Sequence, residues 1–173
     1  MLFLWQISST KLLEESMTKK HFTAEDVSIK LTKISLIILF LASIGLLCTG
    51  SWVVRLVMEF PSPLFQGETR FWFLLGFGYI LGFLALACII HLYQLLTYIG
   101  ENQVFIEQNV QYLRFLGWEV GAVALISLLM GLTAYLPMLM IAVSCSLLTL
   151  IIRVVRNAFG KAVELQEQVD YTI

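Results

Sequence analysis

A chain of 173 residues that is 59% hydrophobic and only 13% charged lies far outside the composition of a soluble globular domain. Crossing ~30 Å of hydrocarbon takes about 20 apolar residues, and the four such stretches here leave little chain for a soluble domain. Eleven Lys plus Arg against twelve Asp plus Glu give a formal net charge of −1, no basic field for nucleic acid, and so argue against direct DNA binding.

The opening "MLFLW" is too short for the apolar region of a signal peptide, has no basic residue ahead of it and is followed by no cleavage site. "MTKKHF" offers a second start at Met17, and Glu14 and Glu15 could be encoded by a purine-rich ribosome-binding sequence. Residues 1–16 are therefore either the beginning of an N-terminal cytoplasmic segment, 1–33, or not translated. Thr23 and Asp26 are suited to cap the helix that follows.

The first span covers 34–57, "ISLIILFLASIGLLCTGSWVVRLV", with Lys30 and Lys33 at its start. The second covers 71–99 and runs into Gly100, a natural C-terminal stop. The third, about 112–136, and the fourth, 137–159, meet at "YLP". So short a junction makes an antiparallel hairpin, with Pro137 in a first helical turn. The expected fold is all-α, a polytopic membrane protein built as an antiparallel four-transmembrane-helix bundle with short cytoplasmic helices and a C-terminal tail, 160–173.

Lys11, Lys19, Lys20, Lys30 and Lys33 precede the first span, Arg114 lies between the second and third, and Arg153, Arg156 and Lys161 end the fourth. That is nine of the eleven basic residues on one side, with only Arg55 and Arg70 bracketing the loop "MEFPSPLFQGET". Short loops rich in Lys and Arg stay inside, so both termini and the 100–114 loop are expected to be cytoplasmic.

Gly78 and Gly82, with Ala85 on the same face, and Gly117 and Gly121 form small-residue pairs one turn apart. These permit close helix approach and are expected to serve packing within one unit ahead of homo-oligomerisation. Cys48, Cys88 and Cys145 each fall in a different apolar stretch with no CxxC spacing, and read as small buried hydrophobes.

Three ionisable residues fall at one depth. Glu119 lies roughly 10 Å into the third span at 1.5 Å per residue, and His91 and Arg153 match it on the second and fourth. An unpaired carboxylate there costs ~3 kcal/mol, so such groups face the bundle interior and one another. Glu119 then either forms a switch with Arg153 or protonated His91, or the layer simply fixes packing while Arg153 snorkels to the headgroups. The chain shows neither inverted repeats nor a charged ring, and no GxSxG, HExxH or Gly-rich phosphate loop. Catalysis, metals and cofactors are not expected.

The loop "GENQVFIEQNVQYLRFLGW" begins with a helix stop and a capping residue, Asn102. Ile106, Val110 and Leu113 then fall on one face, away from Glu107, Gln108 and Gln111, as in a short helix on the inner membrane surface or against the tail. In the tail, Val155, Ala158 or Phe159, Ala162, Leu165 and Val169 make a stripe of helical period with Lys161, Glu164, Glu167 and Gln168 outside it. The fourth span therefore continues into the cytoplasm as an amphipathic helix.

Gly100, Phe105, Asn109, Leu113, Arg114 and Gly117 in the loop, and Phe159, Gly160, Leu165, Gln166, Glu167, Asp170, Thr172 and Ile173 in the tail, occur in an order that resembles the bacterial family known as domain of unknown function 2975 (DUF2975). The resemblance covers roughly residues 30–173 and implies a small four-span protein with no assigned activity. Its members are often encoded beside small helix-turn-helix regulators, which implies a regulatory membrane partner of such a protein. Residues 100–114 and 159–173 would then form one docking platform, the free carboxylate after Ile173 entering a nest or pocket on the partner. The equal alternative is a tail that folds back on the loop only to close the bundle. Two alternatives stand beside regulation: an immunity-type protein that meets a membrane-active peptide through the outer loop, and a small oligomeric transporter or channel.

Overall fold

The computed structural model describes residues 27–101 and 103–170, all of whose regular structure is helical. Helix α1 covers Val27–Cys48. After a single interrupting residue, Thr49, α2 covers Gly50–Met58, followed by α3 over Gly67–Gly100, α4 over Glu107–Thr133 and α5 over Met138–Asp170. Thr23, Asp26 and Asn102, with the caps expected of them, lie outside the described residues, as do the alternative start at Met17 and the chain end 171–173.

Four helices are long and apolar enough to cross a membrane. The chain is an all-α, multi-pass membrane protein. At about 1.5 Å per residue, the 34 residues of α3 and the 33 of α5 reach about 50 Å each, well beyond a hydrocarbon core of ~30 Å. Both helices tilt, project into the headgroups, or do both.

The contacts fix an antiparallel register in chain order. Along α1, α2 and α3, Lys33 lies over the Tyr93 ring, a Cβ on Gly82 would meet Leu47, and Gly50 faces Tyr79. From α3 to α4, His91 meets Glu119 and Tyr98 stacks on Tyr112. From α4 to α5, Gly117 faces Ile152, Gly121 faces Thr149 and Gly131 faces Leu139. Three of the four glycines singled out in the sequence thus receive a helix of the same chain. Gly78 meets nothing within 4 Å; with Gly82 and Ala85 it lines an apolar cavity of about 280 Å3 beside α2.

Two apolar clusters hold the ends. Val54, Leu74, Met130 and Ala134 form the one beside the 59–66 loop, backed by a ladder of Phe65, Phe73 and Phe77 rings. Leu95, Leu113 and Leu116, with Ile152 and Phe159 against them, form the other.

Several local expectations change. The 100–106 segment contains no separate surface helix among its described residues, because Asn109 N–H closes on Ile106 O and the helical run continues unbroken from Glu107. Gly100 does end α3, but not by a left-handed turn; among the described residues positive φ occurs at Gly67 alone among glycines. What Gly100 provides is room, since a Cβ there would sit 3.4 Å from Ile29 of α1. Gly67, at φ 65, starts α3 after the extended Gln66, a turn that a Cβ would strain. Pro137 falls just ahead of α5 in a tighter turn, with Met140 N–H donating to its carbonyl. Cys48 is exposed on the outer face of α1, whereas Cys88 and Cys145 are half-buried. The preceding residue, Leu47, is the one that meets α3, at Gly82.

Candidate functional site

The ionisable layer separates into a pair and an outlier. His91 Nδ1 lies 2.9 Å from Glu119 Oε1, the distance of an ion pair. The N–H···O alignment falls short of a hydrogen bond, and Glu119 Oε2 is buried with no donor. The imidazole stacks on Phe115, centroids 5.5 Å apart, and approaches Tyr112. The aromatic wall fixes the ring, so a carboxylate one helix away meets a preset partner. Arg153, expected at the same depth, is exposed on α5 and lines a groove with Arg114 and Arg156 instead. Arg153 and His91 are equal candidates in the sequence as partners of Glu119; in the structure the contact is with His91, and Arg153 is turned outward.

The loop and tail residues do converge. The Phe105 and Phe159 rings meet with centroids 5.7 Å apart. Leu113 is buried in the cluster that Phe159 packs against. Asn109 is fully enclosed, at 0% exposure, and its Nδ2 donates to Gln103 O and Val104 O at 2.8 Å each. Those two bonds tie the carbonyls of the 103–104 turn to the buried amide of α4. Asn109 Oδ1 has no partner.

Beyond that contact, α5 carries on as one helix. Phe159, Gly160, Ala162 and Val163 are half-buried, while Leu165 at 62% and Val169 at 60% are exposed, as is Gln166. The apolar stripe read from the sequence is therefore partly covered at Phe159 and Ala162 only, with Val155 before them exposed as Leu165 and Val169 are after them. A Cβ on Gly160 would meet nothing within 4 Å. The backbone at Glu167 and Asp170 is helical, their side chains lying outside the description with Thr172 and Ile173.

The residue that the sequence reading missed is Arg70. Treated there as a mark of the outer loop, it is 5% exposed. Its Nε donates to Ala134 O at 3.1 Å, Nη1 to Phe60 O at 2.9 Å and Met58 O at 3.4 Å, and Nη2 to Val57 O at 3.2 Å. Three of these carbonyls close α2 and the fourth follows α4, where helices leave carbonyls unpaired and carry partial negative charge. A single cation thus caps two helix ends. Leu64 and Phe65 N–H both reach Thr133 O, and Ser62 Oγ donates to Phe65 O, so the 59–66 loop is tied down beside it. The available signal was the setting: an arginine just inside a span, flanked by "FWF", with no carboxylate within a helical turn except Glu68.

The model of a family described as a protein of unknown function, DUF2975, matches residues 65–173. The chain belongs to DUF2975. The matched stretch takes in α3, α4 and α5 and every loop and tail residue on which the resemblance was read, while α1 and α2 precede it, so the similarity begins later than residue 30. No curated protein and no solved structure matches the chain. Function in this DUF2975 protein has to be argued from its own surfaces.

Proposed function

We propose that this DUF2975 protein is a non-enzymatic regulatory protein of a bacterial cytoplasmic membrane, with both termini inside, and that its loop and tail together dock a small cytoplasmic helix-turn-helix regulator. The observation that carries the reading is the Phe105–Phe159 contact, which joins the two motif-bearing segments into one surface. The tail helix continues past that contact with Leu165 and Val169 uncovered on one face, as a helix-in-groove ligand requires. Sidedness is supported by the basic residues: Lys30, Lys33, Arg114, Arg153, Arg156 and Lys161 lie toward the face of the two chain ends, Arg55 and Arg70 toward the other. The class of partner comes from the DUF2975 resemblance, not from the geometry.

The test is a pulldown from native membranes with the full chain and with a chain cut after Gly160. A small cytoplasmic regulator should copurify with the first and be lost from the second. Recovery of the same regulator with the cut chain, or labelling of a cysteine placed beside Ile173 by a membrane-impermeant reagent in intact cells, overturns the reading.

A further inference from the structure

Three arginines gather at the loop-and-tail end of α4 and α5: Arg114 ends the platform stretch of the loop, and Arg153 and Arg156 lie outside it. Arg114 of α4 and Arg153 and Arg156 of α5 line the mouth of a groove of about 560 Å3 between the two helices. From that mouth the groove descends along α4 past Gly117 and Trp118 to Leu125, which is about 16 Å below Arg114 at 1.5 Å per residue. Its floor is closed where Gly117 meets Ile152, and no carboxylate lines it. Among the described residues none of the three arginines pairs with a carboxylate; Arg156 Nη2 donates to the neighbouring Asn157 Oδ1 at 3.0 Å. The cations therefore lack a counter-charge from the described protein, and Arg153 and Arg156, one turn apart on the same helix, repel each other.

The geometry points to a binding site for an anionic glycerophospholipid, its phosphate held at the mouth by the arginines and an acyl chain laid in the gutter below. Guanidinium forks match phosphate oxygens two at a time, and basic pockets between helices near the membrane surface take anionic headgroups. The gradient along the groove, from cationic mouth to apolar gutter, is the gradient of the lipid itself. Trp118, 73% exposed, stands at the groove edge where an indole sits at the headgroup level, and Leu125 is likewise open on the side that faces lipid. A free phosphate would use the mouth and leave the gutter without a purpose.

The full chain, purified in mild detergent, is offered phosphatidylglycerol or phosphatidylcholine of identical acyl chains, and retained lipid is read by native mass spectrometry. Phosphatidylglycerol should be retained about tenfold over phosphatidylcholine, a ratio consistent with a few surface cations acting on one headgroup charge. Substituting Arg114→Gln, Arg153→Gln and Arg156→Gln together should bring the ratio close to one, whereas Arg55→Gln, at the opposite face, should leave it unchanged. Should the triple variant fail to fold, Arg153→Lys with Arg156→Lys keeps the charge but loses the fork, and should retain part of the preference. Equal retention of the two lipids by the wild type, an unchanged preference in the triple variant, or displacement of the lipid by millimolar inorganic phosphate each overturns the proposal.

Discussion

Arg70 and Ala134 stand 64 positions apart in the chain and meet at 3.1 Å, Nε to carbonyl oxygen, so that the start of α3 holds the end of α4. The remaining guanidinium nitrogens hold Val57, Met58 and Phe60 at the end of α2. Replacing Arg70 by Met fills the space but takes the guanidinium donors from Ala134 O, Met58 O and Phe60 O, while Val57 O keeps the Phe60 N–H at 3.2 Å; stability should fall by about 3 kcal/mol, several carbonyls losing a donor at once. Lys at this position should recover only part of that, because one ammonium cannot reach both helix ends. Unfolding in mixed micelles measures the difference; a loss below about 1 kcal/mol in both variants would mean that water serves these carbonyls as well as the arginine does.

The contact of His91 with Glu119 predicts a specific pattern of coupling. A double-mutant cycle of His91→Gln and Glu119→Gln should give about 1 kcal/mol, in the range of polar contacts between membrane helices. The cycle of Glu119→Gln with Arg153→Gln should be additive to within about 0.3 kcal/mol, since Arg153 belongs to the outer groove and makes no ion pair with Glu119. A larger coupling to Arg153 than to His91 would show that the carboxylate exchanges partners in the bilayer, which is the behaviour a switch needs.

The existence, number and order of the spans were legible because each is set by local composition alone. Twenty apolar residues can do little else, and Lys and Arg mark their ends. The depth of His91 and Glu119 followed from counting along helices, but the face expected through Ile106, Val110 and Leu113 did not: Ile106 is extended ahead of α4, and the buried face runs through Asn109, Leu113 and Leu116. What escaped the sequence depends on how helices turn toward one another. Arg153 and His91 looked equivalent until the rotation of α5 placed the first outside, and Gly78 looked equivalent to Gly82 until Leu47 was seen to approach only the second. Arg70 escaped for a different reason: its partners are backbone carbonyls, which any sequence supplies, so no residue type announces them. In the tail the period was legible but its covering was not, because Phe105 lies more than fifty positions before Phe159.

Helix approach at glycine predicts a graded series. A Cβ on Gly131 would stand 2.9 Å from the backbone nitrogen of Leu139 and closer still to its side chain. The α4–α5 junction is four residues long, so the backbone has little room to yield, and Gly131→Ala should cost about 1–3 kcal/mol. Gly82→Ala meets only the side chain of Leu47, which can turn aside, and should cost less. Gly78→Ala meets nothing and should be neutral or stabilising by up to about 1 kcal/mol through helix propensity. The order, measured by unfolding in micelles, is the test: a larger loss at Gly78 than at Gly131 would place an unseen neighbour, such as a second copy of the chain, against α3.

Asn109 should control the loop rather than the bundle. Its amide donates to two carbonyls within the turn that precedes α4, and the same turn is held at its start by Gln103 N–H on Tyr98 O at 3.0 Å. Asn109→Ala removes both donors and opens a small void, a loss of about 2 kcal/mol that falls on the loop because the helix ladder of α4 is independent of it. Asn109→Asp should be at least as damaging: it keeps the size but turns a donor into an acceptor facing Gln103 O and Val104 O. In hydrogen exchange, the Gln103 amide, bonded to Tyr98 O, should lose protection in both variants while those of Leu113 and Leu116 keep theirs. Phe105→Ala leaves the Asn109 bonds intact and removes only the ring against Phe159, so the tail turns after Phe159 should exchange faster with the loop unchanged. If the two substitutions gave the same exchange pattern, loop and tail would not be separable elements, and the surface they share would owe its shape to the α3–α4 turn as a whole and not to these two side chains.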